Sequence, residues 1–381
     1  MKVIYITTSI EENDYVEFSK AWSISLNPSN QNFHNKVIRS LATLNKVEVI
    51  SIRPYSKRKC HIHRLNAENK TIGNINYHYL KISRNKYTRS FSLHKQIRKM
   101  LPSLLRERVV LITDTINPSC VQLTSYIKKN YDIPCIGICT DSPYNISKTN
   151  HLYTSFLLNN TKNLNGYICL TKDLNALYNK NEKPFFKFEG LVDEVIEQKE
   201  VKGKYFFFGG ALLERYGVYQ LIEAFKLIKN KDLSLLICGH HAEEDLEGII
   251  SEDSRIKYLG TIPVKDVLAL ESHAIANINP RPYDEQLDRY SIPSKTIEYL
   301  SSGALTISVR NSELQDRFSD CAIWINSNDV EDLSGAMKKA LAMSENERKK
   351  VAEKAKKTAK SLYSIEKIGK LLTDFLSTFI H

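Results

Sequence analysis

A short polar stretch in the second half of the chain carries the residues best suited to chemistry. It begins at Ser291-Ile292-Pro293-Ser294 and reaches Glu298 four residues later, between two β-branched, apolar runs that predict strands. Proline suits the first turn of a helix, and either serine could cap the free amides there. Gly303 predicts the end of this helix. The pattern therefore predicts a strand, a polar loop, a short helix and a second strand.

The predicted helix is suited to bind a nucleotide. Its first amides and the positive end of its dipole would face the rim of a sheet, which makes an anion site. Glu298 lies one turn further on, and helical side chains lean back toward the N-terminus, so its carboxylate would reach the same place. A carboxylate does not bind phosphate, but it can accept two hydrogen bonds from a vicinal diol such as a ribose.

Other polar or small residues follow predicted strands elsewhere in the chain. Gly209 and Gly210 end the run of residues 205–208 and let the backbone approach a ligand closely. Asp114 and Asp141 each follow a buried strand as the second member of a Thr-Asp pair. The carboxyl ends of strands in a doubly wound sheet line one crevice, so both aspartates are predicted to face it. The alternative for each is a helix N-cap, which aspartate favours for local reasons.

The order of the loop, the helix, Glu298 and the Ser302-Gly303 turn resembles the nucleotide-sugar half of retaining glycosyltransferases of the GT-B fold, the glycosyl transferases group 1 (GT4-like) family. The family's usual signature has two glutamates with seven residues between them; here Glu298 is the second, and Tyr290 stands at the first. In the family the first glutamate faces the donor sugar. Arg289-Tyr290-Ser291 and Pro293-Ser294-Lys295 resemble the form found in subgroups associated with surface-polysaccharide synthesis.

The resemblance implies roles for residues on the donor side. Arg215 lies in the loop that the family uses to clamp the donor's diphosphate, with Lys295 as an assisting cation; an exposed arginine at a helix start is the alternative for Arg215. Backbone groups of the turn from Leu259 to Ile262 are expected to hold the nucleobase. The predicted donor-binding residues are Gly209, Gly210, Arg215, Leu259, Ile262, Tyr290, Ser291, Ser294, Lys295 and Glu298.

The resemblance also implies an acceptor side in the first half of the chain. After a first strand over residues 2–6 and a polar loop, residues 30–34 lead into a helix that borders the cleft in this family. They end at His34, for which an ordinary capping or surface histidine is the alternative. Asp141 is expected, rather than Asp114, to touch the acceptor hydroxyl. The predicted catalytic residues are Asp141, Arg215 and Lys295, and the predicted acceptor-side residues are His34, Asp114 and Asp141.

Length and composition fit two domains. A chain of 381 residues is too long for one ordinary core, and its apolar and charged fractions, 42% and 25%, are those of a globular protein. The expected fold is α/β and GT-B, with two Rossmann-like, doubly wound domains facing across a cleft. Residues 1–195 form the acceptor domain, residues 200–362 the nucleotide-sugar domain, and a last helix, within 363–381, crosses back to the first.

Location is inferred from what the sequence lacks. No run of 18 apolar residues and no signal-peptide pattern is seen, and the seven cysteines lie mostly in strand-like runs without metal-ligand spacing. They are interpreted as core thiols of a reducing compartment. The expected localisation is cytoplasmic, with a peripheral position on the inner face of the membrane as an extension.

Much of the net charge of +11 comes from the first half of the chain. Residues 75–82 alternate as a strand, and residues 84–108 then carry eight basic residues and one acid, with apolar residues at helical spacing. One interpretation is an amphipathic helix packed on its own domain with a solvated basic face. Another is a helix that also leans on an anionic membrane surface. Nucleic acid is disfavoured because no recognised binding pattern accompanies the charge.

The resemblance predicts a hexosyltransferase-like enzyme that transfers a sugar from a nucleotide diphosphate sugar, with retention, to a glycan or lipid-linked acceptor hydroxyl in cell-surface polysaccharide or glycoconjugate synthesis. Fixed positive charge would stabilise the departing diphosphate. No metal or other cofactor is expected, since no Asp-x-Asp cluster ends a strand. A first alternative is a GT-B partner protein that binds nucleotide sugar without turnover. It is suggested by Tyr290 at the first glutamate position and by the absence of a lysine before Gly217. A GT-B sugar-nucleotide epimerase, which needs no acceptor, is the second.

Overall fold

The structure is a computed structural model that describes residues 1–22, 28–54, 64–83, 85–146, 151–193, 201–240 and 246–380. Two compact units are found. The first comprises Met1–Leu191, Arg289–Ile292 and Ile365–His381, and the second Val192–Asp288 and Pro293–Ser364. Arg84, which begins the predicted basic region, and residues 194–200, around the predicted boundary between the two domains, lie outside the described residues.

The first unit is built on an eight-stranded sheet in the order β10-β9-β8-β7-β1-β2-β5-β4, parallel except for the β4–β5 pair. A separate pair joins β3 and β6. Its strands are β1 (Lys2–Thr7), β2 (Lys46–Ser51), β3 (Arg64–Leu65), β4 (Glu68–Ile72), β5 (Ile75–Tyr79), β6 (Ile82–Ser83), β7 (Val109–Asp114), β8 (Cys135–Cys139), β9 (Gly166–Cys169) and β10 (Phe185–Lys187). Its helices are α1 (Glu12–Trp22), α2 (Pro28–Ala42), α3 (Lys86–Leu104), α4 (Pro118–Asn130), α5 (Pro143–Ile146), α6 (His151–Thr161), α7 (Lys172–Tyr178) and α16 (Ile365–Ser377).

Helices cover both faces of this sheet, so its central strands are apolar on both sides. In β1, Val3 and Tyr5 pack into a cluster with α2 and α16, whereas Ile4 and Ile6 pack into the cluster of α3, α4 and α7. The last helix, α16, thus belongs to the first unit although it follows the second in sequence. Its Gly369 lies so close to the Ser40 carbonyl of α2 that a Cβ atom there would overlap it.

Two segments of this unit differ from the sequence prediction. Residues 12–22 were predicted as a polar loop but form α1, because Tyr15 and Phe18, three residues apart, pack one side of the helix against the core. The predicted strand over residues 75–82 is divided into β5 and β6, and β5 pairs with the unforeseen edge strand β4. The side chains of β4 are almost all exposed and polar, so it carries no apolar signal.

The second unit is built on a six-stranded parallel sheet in the order β13-β12-β11-β14-β15-β16. Its strands are β11 (Lys204–Gly209), β12 (Leu233–Cys238), β13 (Ile256–Tyr258), β14 (Ala276–Asn279), β15 (Leu305–Val309) and β16 (Ile323–Ile325). Its helices are α8 (Val218–Lys226), α9 (Leu246–Ser251), α10 (Val264–His273), α11 (Glu285–Asp288), α12 (Ser294–Ser302), α13 (Ser312–Arg317), α14 (Val330–Ala342) and α15 (Glu345–Tyr363).

The central strand β11 supplies the core of this unit on both faces. Phe206 and Phe208 pack with α8 and α14, and Tyr205 and Phe207 pack on the side of α10. Because β11 lies between β12 and β14, its glycine end sits in the middle of the rim formed by the carboxyl ends of the strands.

The six cysteines within the described ranges are free and buried, as predicted for core thiols. No helix in this part of the chain combines the length and apolar character needed to cross a bilayer.

Candidate functional site

The predicted helix start at residues 291–294 is present but is built differently. Pro293 occupies the N-cap position of α12, and its own side chain makes no capping hydrogen bond. The N-cap position thus falls to the proline between the two predicted serines, and the Pro293 carbonyl accepts a hydrogen bond from Thr296 N–H at 3.0 Å that closes the first turn. Ser294 is exposed as the first helical residue, and Gly303, with φ of +94°, ends the helix as predicted.

Tyr299 ties α12 to the glycine end of β11. Its hydroxyl accepts a hydrogen bond from Gly209 N–H at 2.9 Å and lies 3.2 Å from Gly209 O, to which it can donate. The ring is fully buried, and burial raises the pKa of the phenol, so the donor proton is kept. Sequence analysis missed Tyr299 because nothing local connects it with a glycine 90 residues away.

Hydrogen bonds and a close backbone contact hold together the turns that follow β11, β12 and β13. Gly239, with φ of +137°, approaches Gly210 so closely that a Cβ atom would overlap the Gly210 carbonyl oxygen. Its N–H donates to Gly260 O at 2.9 Å, and its carbonyl accepts from the Tyr258 hydroxyl at 2.8 Å. The two glycines predicted to admit a ligand therefore sit in a rigid rim.

The turn predicted to hold a nucleobase lies next along this rim. Leu259 N–H already donates to Ile237 O at 2.8 Å, which extends the pairing of β12 with β13. The Leu259 side chain is 37% exposed, whereas Ile262 packs partly buried against the cluster under α10. The remaining backbone groups of this turn are the ones that could face a base.

Lys295 and Glu298 meet on the first turns of α12. The ammonium of Lys295 lies 3.1 Å from Glu298 Oε2 and 3.6 Å from Oε1 of Glu271 on α10. It also lies 5.7 Å from the centroid of the Tyr299 ring. Burial lowers the pKa of Lys295, but the charges of Glu298 and Glu271 outweigh it, so the pKa is raised and the lysine is cationic.

Glu271 was not predicted from the sequence. It is fully buried, whereas Glu298 and Lys295 keep 29% and 34% of their side-chain surfaces exposed. A signal for it was present: Val267, Leu270 and Ala274 have the i, i+3, i+7 spacing of an apolar helix face, and Glu271 falls at the i+4 position of the same face, which packing would reserve for an apolar residue. A buried carboxylate needs a partner, and Lys295 supplies it.

Arg215 lies on a 3-10 turn, Glu214–Tyr216, and is exposed. Its guanidinium lies over the Tyr216 ring, 5.0 Å from the ring centroid, rather than beside Lys295 and Glu298. The following Gly217 has φ of +77° and abuts the Pro280 carbonyl, which fixes the turn beside the loop after β14. Among the predicted donor residues, the structure therefore joins Gly209, Lys295 and Glu298 through Tyr299 and leaves Arg215 facing solvent.

A pocket of about 240 Å³, including its open mouth, lies at the carboxyl ends of β14 and β15. It is polar and carries two arginines, of which Arg281 pairs with Asp288 at 2.8 Å. Its lining residues are Asn279, Arg281, Pro282, Tyr283, Asp288, Pro293, Thr296, Ser308, Val309, Arg310 and Asn311. The first turn of α12 thus borders an open, partly basic space.

In the first unit, two of the predicted acceptor-side residues, His34 and Asp114, lie side by side in a buried position. The side chains of His34 and Asp114 are 0% and 1% exposed, with His34 Nε2 3.5 Å from Asp114 Oδ2. The Tyr5 hydroxyl lies 2.7 Å from His34 Nδ1, and burial followed by the Asp114 charge raises the pKa of Tyr5. His34 is thus neither a surface residue nor, in this conformation, accessible to an acceptor.

Asp114 and Asp141 have different local roles. Asp114 accepts from Ile116 N–H at 3.0 Å, while Asn117 is the residue that caps α4, so the N-cap alternative fails for Asp114. Asp141 accepts from Ser142 N–H at 2.7 Å and from the Asn145 side chain at 3.1 Å at the entry to α5. Asp141 is only partly buried and is therefore the more accessible carboxylate.

Tyr290 and Ser291, predicted as donor-binding residues, belong to the first unit. Tyr290 packs partly buried against the cluster of α3, α4 and α7, and Thr171 donates to the Arg289 carbonyl at 2.7 Å. The chain therefore leaves the second unit for four residues immediately before α12 begins.

Part of the chain matches a known protein family by sequence. Residues 193–358, which make up most of the second unit, match the family Glycosyl transferases group 1. Among curated protein sequences no significant match is found.

Comparison by structure covers the whole chain. A sucrose-phosphate synthase from Thermosynechococcus elongatus is similar with a TM-score of 0.70 and 11% identity, with 99% of each chain covered. The E. coli trehalose-6-phosphate structure bound with UDP-2-fluoro glucose gives 0.69 and 9%, with both chains covered completely. A trehalose-6-phosphate synthase studied for glycosyltransfer with retention gives 0.65 and 10%, with 99% of each chain covered. At such identities the likeness shows the fold, an α/β GT-B fold with two parallel-sheet domains, which confirms the predicted fold class.

Proposed function

We propose that this chain, whose second unit carries the Glycosyl transferases group 1 match, transfers a sugar from a nucleotide diphosphate sugar to an acceptor hydroxyl. One observation carries the proposal: Lys295 and Glu298 lie side by side on the first turns of α12, which Tyr299 holds against the Gly209 turn. A cation next to a partly exposed carboxylate matches a ligand that joins phosphates to a diol.

The chemistry needs positive potential where the diphosphate departs. Lys295 and the first amides of α12 would supply it, and Arg215 is proposed to swing from its exposed turn onto the same phosphates. Glu298 would turn to the ribose hydroxyls. In the first unit, the accessible carboxylate of Asp141 is proposed to accept the hydrogen bond of the acceptor hydroxyl. No covalent intermediate on the protein is invoked.

Retention at the anomeric carbon is part of the proposal and has support from the neighbour studied for that outcome. A uridine nucleotide is the first donor to test, since a neighbour is bound with UDP-2-fluoro glucose. The residues Arg289-Tyr290-Ser291 and Pro293-Ser294-Lys295 support a place in cell-surface polysaccharide or glycoconjugate synthesis, with a glycan or lipid-linked acceptor.

Calorimetric titration with UDP, GDP, ADP and their sugar conjugates tests the donor site. Glu298→Ala should weaken binding of the preferred nucleotide, because it removes the ribose contacts, while Glu252→Ala on the surface pair with Lys226 serves as the control. Unchanged affinity in Glu298→Ala, or no nucleotide bound by the wild-type protein, would overturn the proposal.

Arg215→Ala tests the leaving-group assignment. If the guanidinium reaches the diphosphate in the transition state, turnover should fall by about 2 to 4 kcal/mol in activation free energy, the loss of one such donor. Release of nucleoside diphosphate measures it, and near-normal turnover would return Arg215 to an exposed turn residue.

We also propose that α3 rests on an anionic membrane surface. Its apolar side, with Leu93, Ile97 and Leu101, is buried in its own domain, but Phe91 is 74% exposed near its start. Lys95, Arg98 and Lys99 are exposed further along the same helix and give it a basic face. Each cation near anionic lipid is worth about 1 kcal/mol.

Sedimentation with vesicles tests this proposal. Vesicles with phosphatidylserine should retain the protein better than phosphatidylcholine alone, and Lys95→Glu with Arg98→Glu should abolish the difference. Lys349→Glu with Lys357→Glu on the basic helix α15 makes a charge-matched control. Equal retention on both vesicle types argues against membrane docking.

A further inference from the structure

The cluster of Lys295, Glu271 and Glu298 carries more negative than positive charge, which does not suit a diphosphate site. One ammonium faces two carboxylates, Glu271 and Glu298, so the ionised trio has a net charge of −1. A nucleoside diphosphate would be repelled by such a trio. One carboxylate must therefore move away from the lysine before the anion can bind it.

The two carboxylates differ in their freedom to move. Glu298 is 29% exposed, sits three residues from Lys295 on the same helix and can rotate toward solvent or a ligand. Glu271 has no exposed surface and lies on α10, so a rotation away from Lys295 would separate a buried charge from a cation that stabilises it. Glu298 is thus the exchangeable partner of the lysine, and Glu271 the fixed one.

Hydrogen bonds around Glu271 fix the position of its backbone relative to α12. Its backbone carbonyl accepts from the Asn277 side chain at 3.0 Å, and the same amide group of Asn277 donates to Ser302 at 2.9 Å near the end of α12. α10 and α12 are in this way joined below the lysine through β14. A lysine anchored to Glu271 therefore keeps its place relative to the Gly209 turn when Glu298 leaves.

We infer that Glu271 is a positioning residue, one that holds the ammonium of Lys295 on the diphosphate of a bound nucleotide while Glu298 is released to the ribose. The inference rests on the proposed function. Glu271 touches no substrate and acts through Lys295. Without it, the flexible lysine chain would follow Glu298 or turn to solvent, and the contact with the terminal phosphate would be lost.

The test compares nucleosides that carry two phosphates or one. The strength of the lysine–diphosphate contact is measured as the dissociation constant of UMP divided by that of UDP, both from calorimetry. GMP with GDP, or AMP with ADP, replaces this pair if the wild-type protein prefers that base. Glu271→Gln keeps the shape of the side chain and removes its charge. The ratio should fall by about tenfold in this variant, the value of one charge-assisted hydrogen bond.

A double-mutant cycle separates positioning from other roles. In a Lys295→Met background, Glu271→Gln should leave the ratio unchanged, because the residue acts only through the lysine. If Glu271 were only a repelling charge, the ratio would rise in Glu271→Gln; if it were only structural, the melting temperature would fall with the ratio intact. Either result overturns the inference.

Two controls complete the experiment. Lys226 is also held by two acids, Glu223 at 2.7 Å and Glu252 at 2.6 Å, but on the surface of the same unit, so Glu252→Gln should not alter the ratio. A wild-type protein that binds no nucleoside diphosphate refutes the proposed function and the inference with it. Wild-type binding of the diphosphate with an equal ratio in Glu271→Gln refutes the inference alone.

Discussion

Tyr299 connects a helix and a strand through one hydroxyl group. That group serves both the N–H and the carbonyl of Gly209, at the point where the strand gives way to the glycine turn. The two glycines leave this turn flexible in the unfolded chain, so the tyrosine supplies order that the local sequence does not. The shape of the proposed phosphate site therefore depends on a residue that touches no phosphate.

Tyr299→Phe removes only this hydroxyl. The buried Gly209 N–H would lose its partner, at a cost of about 1 to 3 kcal/mol in the free energy of unfolding. Urea unfolding followed by the fluorescence of Trp324, which lies in the second unit, measures the cost. Tyr205→Phe is the matched control, because it removes a buried hydroxyl bonded to Leu270 O but leaves Gly209 untouched. An unchanged unfolding midpoint in Tyr299→Phe would contradict the role given to its hydroxyl.

The pair of Asp253 and Arg255 should make stability depend on acidity. Their closest atoms are 2.6 Å apart, and the hydrogen bond from Arg255 lowers the pKa of Asp253 against the opposing effect of burial. A carboxyl whose pKa is lower in the folded than in the unfolded state stabilises above its unfolded pKa and loses that contribution as pH falls through the folded value.

Asp253→Asn should therefore destabilise the second unit at neutral pH and do so less in acid. The measurement is the difference between the urea midpoints of wild type and variant at pH 7 and at pH 3. A difference that does not shrink in acid would show that the pair is not what the substitution disturbs.

At the scale of elements, the packing of α16 on α2 depends on a residue with no side chain. Gly369 faces the Ser40 carbonyl and the Thr43 hydroxyl so closely that neither neighbour leaves room for a methyl group. Thr373, one turn further along, accepts from the Asn45 side chain at 2.7 Å. The last helix is thus fitted to the first unit by shape as well as by its apolar face.

Gly369→Ala should push the two helices apart and lower the stability of the first unit by about 1 to 3 kcal/mol, the usual cost of overpacking. Gly335→Ala in α14 is a matched control, since open space surrounds that glycine and alanine is the better helix former by about 1 kcal/mol. Thermal unfolding should therefore move in opposite directions for the two variants. A stabilising Gly369→Ala would refute the close fit.

At the scale of the whole molecule, each unit has its own sheet and core, and the proposed donor site lies in the second. The proposed nucleotide contacts come from β11, α12 and the turn after β13. Ligand binding stabilises the elements that it touches. Order induced by a nucleotide should consequently be concentrated in the second unit.

Hydrogen exchange should show this distribution. The preferred nucleoside diphosphate should slow exchange in residues 204–212 and 293–302, while β10 and α16 of the first unit exchange as before. Protection confined to the first unit would place the nucleotide elsewhere and contradict the assignment of the donor site.

The sequence by itself determined the class of fold and the order of strands and helices in the second half of the chain. Strands such as β7 and β11 are continuous apolar runs, and such runs predict buried parallel strands because both of their faces are covered. Gly303 and Glu298 stand where local rules put them, since helix ends and the lean of helical side chains depend on neighbours within one turn.

Only the tertiary structure decided which distant residues share a site. Glu271 comes to Lys295, and Tyr299 to Gly209, through the packing of helices on a sheet, and no spacing along the chain encodes either approach. The same holds for His34, whose burial against Asp114 depends on how α2 lies over β1 and β7. Local interactions fix the elements, but the charge state and the reach of a side chain depend on neighbours that only folding brings near.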